Sequence, residues 1–350
     1  MKRLFTLLAT FALAITTTLA QQNYYFWENG KVTIEAASQV DSLTFSDGSW
    51  DFHFSIPESS DVTTHSFQAL GEVGFIDNVQ SITPYPKVGI CFSDENSEPS
   101  YNDRRQIIGT SPQAISITLN NLVSGTTYYY RFYVKFFDKI YYSEISSVTT
   151  KGEKPEKPQD VVINGHDFVD LGLPSNLLWA KTNVGAEAAY KSGDYFAWGE
   201  TSSKSVYSED TYKWQYPSYK YYYQDEKTTL EAEDDVATVK WGTGCRMPSS
   251  TEFIELCENC NWSWLSNYQG ACGYLVTGIN GNSVFFPASG SYDDYGFRDN
   301  PTGHYWSRSH EGITSDSYAY LLLFNEGYPP MPKYAYERRE GYTVRPVAEK

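Results

Sequence analysis

Methionine and histidine are scarce, three of one and five of the other in 350 residues. The histidines, His53, His65, His166, His304 and His310, fall in no metal-binding spacing, so a histidine-built metal centre is not indicated. No Gly-x-Ser-x-Gly nucleophile elbow occurs. Positive charge is short too: 27 Lys and Arg face 43 Asp and Glu, a formal charge of −16. That balance argues against nucleic acid and against anionic membrane surfaces as partners. After the first twenty residues no apolar run is long enough to span a bilayer as a helix. Long helical patterns are also few, whereas aromatics make up 17% of the chain, with 30 Tyr. Tyrosine-rich, helix-poor composition points to β-structure.

Met1 to Ala20 reads as a secretory signal peptide. Lys2 and Arg3 form its basic end, Leu4 to Ile15 its apolar stretch, and Thr18-Leu19-Ala20 its cleavage site. Loss of Lys2 and Arg3 takes the charge from −16 to −18. No cysteine follows the apolar stretch, so the chain is expected to be exported without a lipid anchor, into the periplasm, to the cell surface or outside. Residues 21–47 read as a β-hairpin segment. Tyr24 to Trp27 and Lys31 to Ile34 flank Asn29-Gly30, which tolerates the positive φ of a type I′ turn.

Residues 48–150 read as an all-β sandwich. Strand-like runs are Phe67 to Phe75, Lys87 to Phe92, Ala114 to Leu119, Thr127 to Phe136 and Ile140 to Ser147. In the fourth, Tyr128, Tyr130, Phe132 and Val134 alternate with Tyr129, Arg131, Tyr133 and Lys135, as in a strand with one buried and one polar face. Leu122-Val-Ser-Gly-Thr-Thr-Tyr128 resembles the approach to the penultimate strand of fibronectin type III domains, with Ser124 in place of the usual Pro, and Tyr141 to Thr150 resembles their last strand. The resemblance implies a spacer or binding module. Cys91 has no cysteine partner in this region and reads as a buried thiol. Residues 151–160 form a linker, charged and stiffened by Pro155 and Pro158.

Residues 161–350 turn to Gly, Trp, Tyr and Asn. Their most informative stretch is Thr229 to Trp264. Ser249 and Glu252 form a capping box ahead of Phe253, Leu256, Cys257 and Cys260, one apolar stripe of a helix. Leu230 to Val239 reads as a second short helix with Glu231, Glu233, Asp234 and Asp235 in its first turns and Gly242 and Gly244 closing it. Cys245, Cys257, Cys260 and Cys272 leave three readings open: a redox pair at Cys257 and Cys260, a four-thiolate zinc site, or structural disulfides and buried thiols.

Eight segments in order carry a family resemblance: Phe168 to Ser175, Leu178 to Gly185, Asp194 to Glu200, Gly273 to Val276, Asn280 to Ala288, Gly303 to Ser307, Ala319 to Phe324 and Gly341 to Val347. Together with Arg246-Met-Pro they resemble the Fibrobacter succinogenes major paralogous domain, with Cys245 where a Trp is usual. Arg246-Met-Pro-Ser-x-x-Glu252-Phe253 and Val344-Arg-Pro-Val347 are similar to segments of the formylglycine-generating enzyme group. The resemblance implies an α+β fold of C-type-lectin-like plan. It implies no activity, because that enzyme group needs a cysteine pair late in the chain and no cysteine follows Cys272.

Two candidate sites remain. Trp214, Tyr216, Tyr219, Tyr221 and Tyr222 lie in an aromatic run suited to sugar or protein contacts. Asp293, Asp294 and Asp299 sit in a Gly- and Tyr-rich loop with oxygens that suit calcium. No catalytic set stands out. The sequence reads as an exported surface or extracellular binding or adhesion protein, a β-sandwich spacer presenting a lectin-like module to a glycan or protein. The alternatives are a polysaccharide-acting enzyme using loop carboxylates, and a structural subunit of a surface assembly.

Overall fold

The structure, a computed structural model, describes residues 52–75, 85–111, 113–214, 227–310 and 317–350, with the backbones of four short strands before them. Of those four, Asn23–Glu28 and Lys31–Ala36 pair antiparallel with Glu28 opposite Lys31, and Phe5–Leu7 pairs parallel with Leu43–Phe45. No helix among the described residues is long and apolar enough to cross a membrane.

A two-sheet sandwich comes first. One sheet orders Gln113–Leu119, Phe67–Phe75 and Phe52–Phe54, with Glu58–Ser60 also on Phe67–Phe75. The other orders Lys139–Tyr142, Thr127–Phe136, Lys87–Ser93 and Arg104–Gly109, with Ser146–Thr149 also on Thr127–Phe136. Every pairing is antiparallel. The alternation along Thr127–Phe136 puts Tyr128, Tyr130, Phe132 and Val134 into the core between the sheets. Tyr128 Oη accepts the Val123 N–H at 3.0 Å, the corner contact that ties the start of this strand to the loop before it in such sandwiches.

Three details differ from expectation. Tyr133, assigned to the polar face, is fully buried: it packs under Tyr101 beside Cys91, a second small core outside the sandwich. Gly89 makes this packing feasible, since a Cβ there would meet the Tyr133 ring at 2.3 Å. The last run is two strands, because Ser143 Oγ takes the Phe132 N–H at 3.0 Å and interrupts the ladder. Arg104–Gly109 forms a strand despite its two arginines.

The linker has neither helix nor strand and is pinned. Lys151 N–H donates to Thr63 O at 2.8 Å, Ser124 Oγ to Glu153 O at 2.7 Å, and Asn282 Nδ2 to Pro158 O at 2.9 Å. Asn121 Nδ2 donates to Cys260 O at 2.9 Å, and Asn261 Nδ2 to Asn120 O at 3.1 Å. The sandwich is therefore packed against the following residues, where a free spacer would stand clear of them.

From 161 on, a five-stranded sheet orders Val161–Ile163, His166–Asp170, Leu178–Ala180, Val347–Ala348 and Cys245–Arg246. The last residues of the chain thus lie inside a sheet begun by the first residues of this region. Both faces are buried, and residue parity sorts the side chains. Phe168, Leu178, Ala180, Cys245 and Ala348 enter one core with Val236 and Trp241 of α1 (Val236–Trp241). Val169, Leu177, Trp179 and Val347 enter the other with Phe253 and Leu256 of α2 (Ser250–Asn259). Burying a Trp side chain such as Trp179 contributes roughly 4–6 kcal/mol of transfer free energy before entropy is counted. Two three-stranded antiparallel sheets follow: Asn261–Tyr268, Ala271–Thr277 and Ser283–Pro287, which extend the second core, then Thr302–His310, Tyr318–Asn325 and Tyr328–Glu337, which send Tyr305, Leu322 and Phe324 to the second core and Trp306, Ala319 and Leu321 to the first.

Helix α2 carries its capping box. Ser249 Oγ accepts the Glu252 N–H at 3.2 Å, and Ser249 N–H donates to Glu252 Oε2 at 2.7 Å. Arg246 clamps the same carboxylate with both terminal nitrogens, at 2.8 and 2.7 Å. Burial works to raise the Glu252 pKa, but Arg246 and the Ser249 N–H prevail and hold it low. Helix α1 begins later than the acidic run suggests. Asp235 is its N-cap, accepting the Thr238 N–H at 3.0 Å, so none of the acids lies in its first turn.

All five cysteines are free, which corrects the disulfide expectation. Cys245 lies in the core on one side of the five-stranded sheet, and Cys257, Cys260 and Cys272 border the core on the other. The sheet between them also removes the four-thiolate zinc reading. Burial pushes the Cys260 thiol up to about 12, and Cys257 is raised as well, so neither is a ready thiolate.

Candidate functional site

A cleft of about 370 Å³ opens where the hairpin Ser291–Asp293/Gly296–Arg298 meets the strand start at His304 and the segment Glu340 to Tyr342. Its volume is at the small end of the roughly 300–1,000 Å³ usual for ligand sites. The hairpin is fastened to the core segment by two backbone bonds, Tyr292 N–H to Gly341 O and Gly341 N–H to Tyr292 O, both 2.9 Å. Glycine is required at 341, because a Cβ would meet the Tyr207 ring at 2.8 Å. This bridge delivers Glu340 to the cleft wall, and Thr343 N–H donating to His304 O at 3.2 Å aligns the other side.

Glu340 is the unusual group. It is only 6% exposed, and its nearest cation, Arg339 Nε, stands 4.0 Å away. Burial raises its pKa to about 8; Arg339 opposes this, while Glu337, Asp293 and Asp294 reinforce it. Arg339 itself serves Glu337, Asp294 and Glu209. A carboxyl so placed is neutral near pH 7 and donates a hydrogen bond as well as accepting one. His304 lies against the Tyr342 ring, 4.8 Å between centroids, and burial lowers its pKa to about 4, so it is an uncharged imidazole. Tyr336 borders the cleft and is 42% exposed; Tyr295, Phe297 and Tyr334 are exposed aromatics of the same strands and turn. Hydrogen-bonding groups beside an exposed aromatic ring give the cleft one apolar and one polar wall, and a protonated carboxyl in a cleft is a general-acid candidate.

The aspartates of the loop divide. Asp293 accepts Arg298 Nε at 2.6 Å and the Tyr295 N–H at 2.8 Å. Burial would raise its pKa, but Arg298 and that N–H lower it, so Asp293 is a carboxylate. Asp294 pairs with Arg339 at 3.3 Å. Asp299 is exposed and lines the cleft with Asp293. A calcium ion would have to displace two arginines to use all three. Among the described residues, the three-carboxylate group whose oxygens converge within 4.8 Å is Glu231, Glu233 and Asp234. Lys227 pairs with Glu231 and Asp234, each at 3.0 Å, and Lys213 also pairs with Asp234.

The aromatic run is met by the structure only at its start. Trp214 is half-buried, its ring over Gly199, 5.9 Å from both Trp198 and Tyr212, with Arg338 4.9 Å above it. Its role there is packing. Tyr216, Tyr219, Tyr221 and Tyr222 lie outside the described residues.

No protein-family model matches the sequence, and no curated protein matches it. Solved structures match in part. The sensor domain of the anti-sigma factor RsgI4 in Pseudobacteroides cellulosolvens is 16% identical, with a TM-score of 0.21, over 33% of this chain and 100% of that one. A fibronectin type III domain from human KIAA0970 protein is 16% identical, with a TM-score of 0.20, over 30% of this chain and 78% of that one. At such scores nothing about ligands follows, and the sandwich rests on its own strand pairing.

Glu340 was not singled out by sequence. It ends a charged run, Glu337-Arg338-Arg339-Glu340, directly before the buried Gly341-Tyr342-Thr343-Val344. A charge abutting an apolar run was the available signal.

Proposed function

We propose that this is an exported surface or extracellular binding protein whose residues 161–350 form a Fibrobacter-type paralogous domain of C-type-lectin-like plan, and that the Glu340 cleft takes a glycan. The observation that carries the reading is the neutral Glu340 beside an uncharged His304 and the exposed Tyr336. Tyr336 offers a face for the C–H side of a sugar ring, while Glu340 and the Asp293–Arg298 pair offer donors and acceptors to its hydroxyls. The test is a glycan array probed with the full chain, its Tyr336→Ala variant and its Glu340→Gln variant, each with and without chelator. Binding that Tyr336→Ala abolishes and chelator leaves intact supports the cleft. Binding indifferent to both variants refutes it.

A second reading is catalysis on a polysaccharide, favoured by the same elevated Glu340 pKa. Glu340 would protonate a leaving-group oxygen, with Asp293, whose pKa Arg298 and the Tyr295 N–H hold low, as the ionised partner. Turnover of array-positive glycans, lost in Glu340→Gln with binding retained, would select this reading. Absence of product after prolonged incubation would eliminate it.

A further inference from the structure

The donor and the acceptors of the Glu340 cleft come from different segments. Glu340 belongs to the segment Glu340 to Tyr342, whereas Asp293 and Asp299 belong to the hairpin Ser291–Asp293/Gly296–Arg298 and the residue just after it. The Glu340 carboxyl is buried, makes no hydrogen bond among the described residues and has no cation closer than 4.0 Å. A carboxyl so placed keeps its proton and presents an O–H donor to the cleft. The hairpin side presents acceptors. Asp293 is fixed by Arg298 Nε at 2.6 Å and by the Tyr295 N–H at 2.8 Å. Asp299 is exposed and has no hydrogen bond or ion pair among the described residues, so its oxygens are the open acceptors of this side. Among the lining side chains three acids face one arginine, and that arginine is already paired.

Common sugar substituents meet this arrangement differently. A uronate or sulfate brings a negative group among three acids, and like charges brought together disfavour binding. A free amino group, as the ammonium, offers donors only and leaves the Glu340 O–H without an acceptor. A hydroxyl has a single oxygen from which to serve both sides. An acetamido group serves them from separate atoms. Its carbonyl oxygen only accepts, its N–H only donates, and in a planar trans amide the two point in opposite directions. Its methyl needs an apolar neighbour, and Tyr336, 42% exposed, borders the cleft. The volume of about 370 Å³ has room for the group together with the ring that bears it.

We infer that the cleft recognises N-acetylated amino sugars: the acetamido carbonyl accepts from Glu340, its N–H donates to Asp299, and its methyl lies against Tyr336. The inference rests on the glycan reading above and names the sugar class for that same site. Asp299 is then a residue that sets specificity, and Glu340 supplies the donor.

The test is an array of gluco-, galacto- and manno-configured oligosaccharides, each made in acetamido, free-amino, hydroxyl and uronate forms. It is probed at pH 6.5 with the full chain and with its Asp299→Ala variant. The acetamido form of at least one configuration should bind about tenfold or more tightly than its hydroxyl counterpart, with uronates and free amines weaker than both. Asp299→Ala should remove most of that preference and leave affinity for the hydroxyl form unchanged, a split that a general loss of structure does not produce. Equal affinity for acetamido and hydroxyl forms, or tighter binding of uronates or free amines, overturns the inference and leaves the glycan reading standing. An Asp299→Ala variant that keeps the full preference, or weakens both forms equally, overturns the assignment of Asp299. A blank array overturns the inference and the glycan reading together.

Discussion

Replacing Glu340 by Gln should stabilise the protein at alkaline pH and remove a slope from its pH–stability curve. Glu340 has a folded pKa of about 8 against an ordinary 4.5, so the folded state holds a proton that the unfolded chain releases. Stability contributed this way is complete at low pH and is lost as pH rises toward 8. The half-buried His304 runs the other way: its folded pKa of about 4 lies below the ordinary 6.5, so its stability is lost as pH falls from 6.5 to 4. Above pH 6.5 His304 is neutral in both states and drops out. Asp293, with a lowered pKa, is ionised in both states there, and Tyr336 and Tyr342, with raised ones, stay protonated. Between pH 6.5 and 8 the Glu340 contribution is at most ~2 kcal/mol, from ~1.36 kcal/mol per pH unit. The carboxyl borders an open cleft, so about 1 kcal/mol is the expected size. Urea denaturation followed by tryptophan fluorescence at pH 6.5 and 8.5 should show wild type losing this amount and Glu340→Gln losing none. Asp235 is also raised, so the comparison between the two proteins, not the wild-type slope alone, carries the test. Parallel curves for the two proteins would refute the placement of Glu340.

Four further outcomes are expected. Tyr128→Phe strands the buried Val123 N–H and should destabilise the sandwich by roughly 1–3 kcal/mol in chemical denaturation, with strand content unchanged by circular dichroism. Ser249→Ala should cost about 1 kcal/mol through loss of the cap on α2, measured the same way. Trp214→Ala should lower stability by about 3 kcal/mol and leave glycan affinity unchanged, because its ring fills the space over Gly199. Thiol labelling without reductant should modify all five cysteines after unfolding and leave Cys91 and Cys260 slow in the native state, whereas fewer than five reactive thiols would mean a disulfide.

Local signals were readable wherever period and capping agreed. The alternation at Tyr128 to Val134 set the buried face of its strand, and Ser249 with Glu252 located the start of α2 to the residue. Signals failed where a distant element overrode local chemistry. Tyr133 looks solvent-facing until Tyr101 folds over it, and Arg105 looks like a loop charge until Glu326, far along the chain, meets it. Asp235 belongs to the cap, not the first turn, because the Met247 N–H also needs its carboxylate, at 2.9 Å. The parity that sorts Leu178 from Trp179 is written in the sequence, but the two cores it serves depend on strand Val347–Ala348 returning between them. The cleft was half visible: Asp293 and Asp299 line it, yet its distinctive groups, Glu340 and His304, acquire their protonation states only in the fold, chiefly from burial.

The central claim, that a protonated Glu340 donates to a glycan in the cleft, is tested most directly by calorimetric titration of the best array glycan from pH 6.5 to 9. Affinity should fall about tenfold as pH rises through 8 in wild type and stay flat in Glu340→Gln. Affinity that is constant with pH in wild type, or that falls equally in both proteins, would contradict the claim.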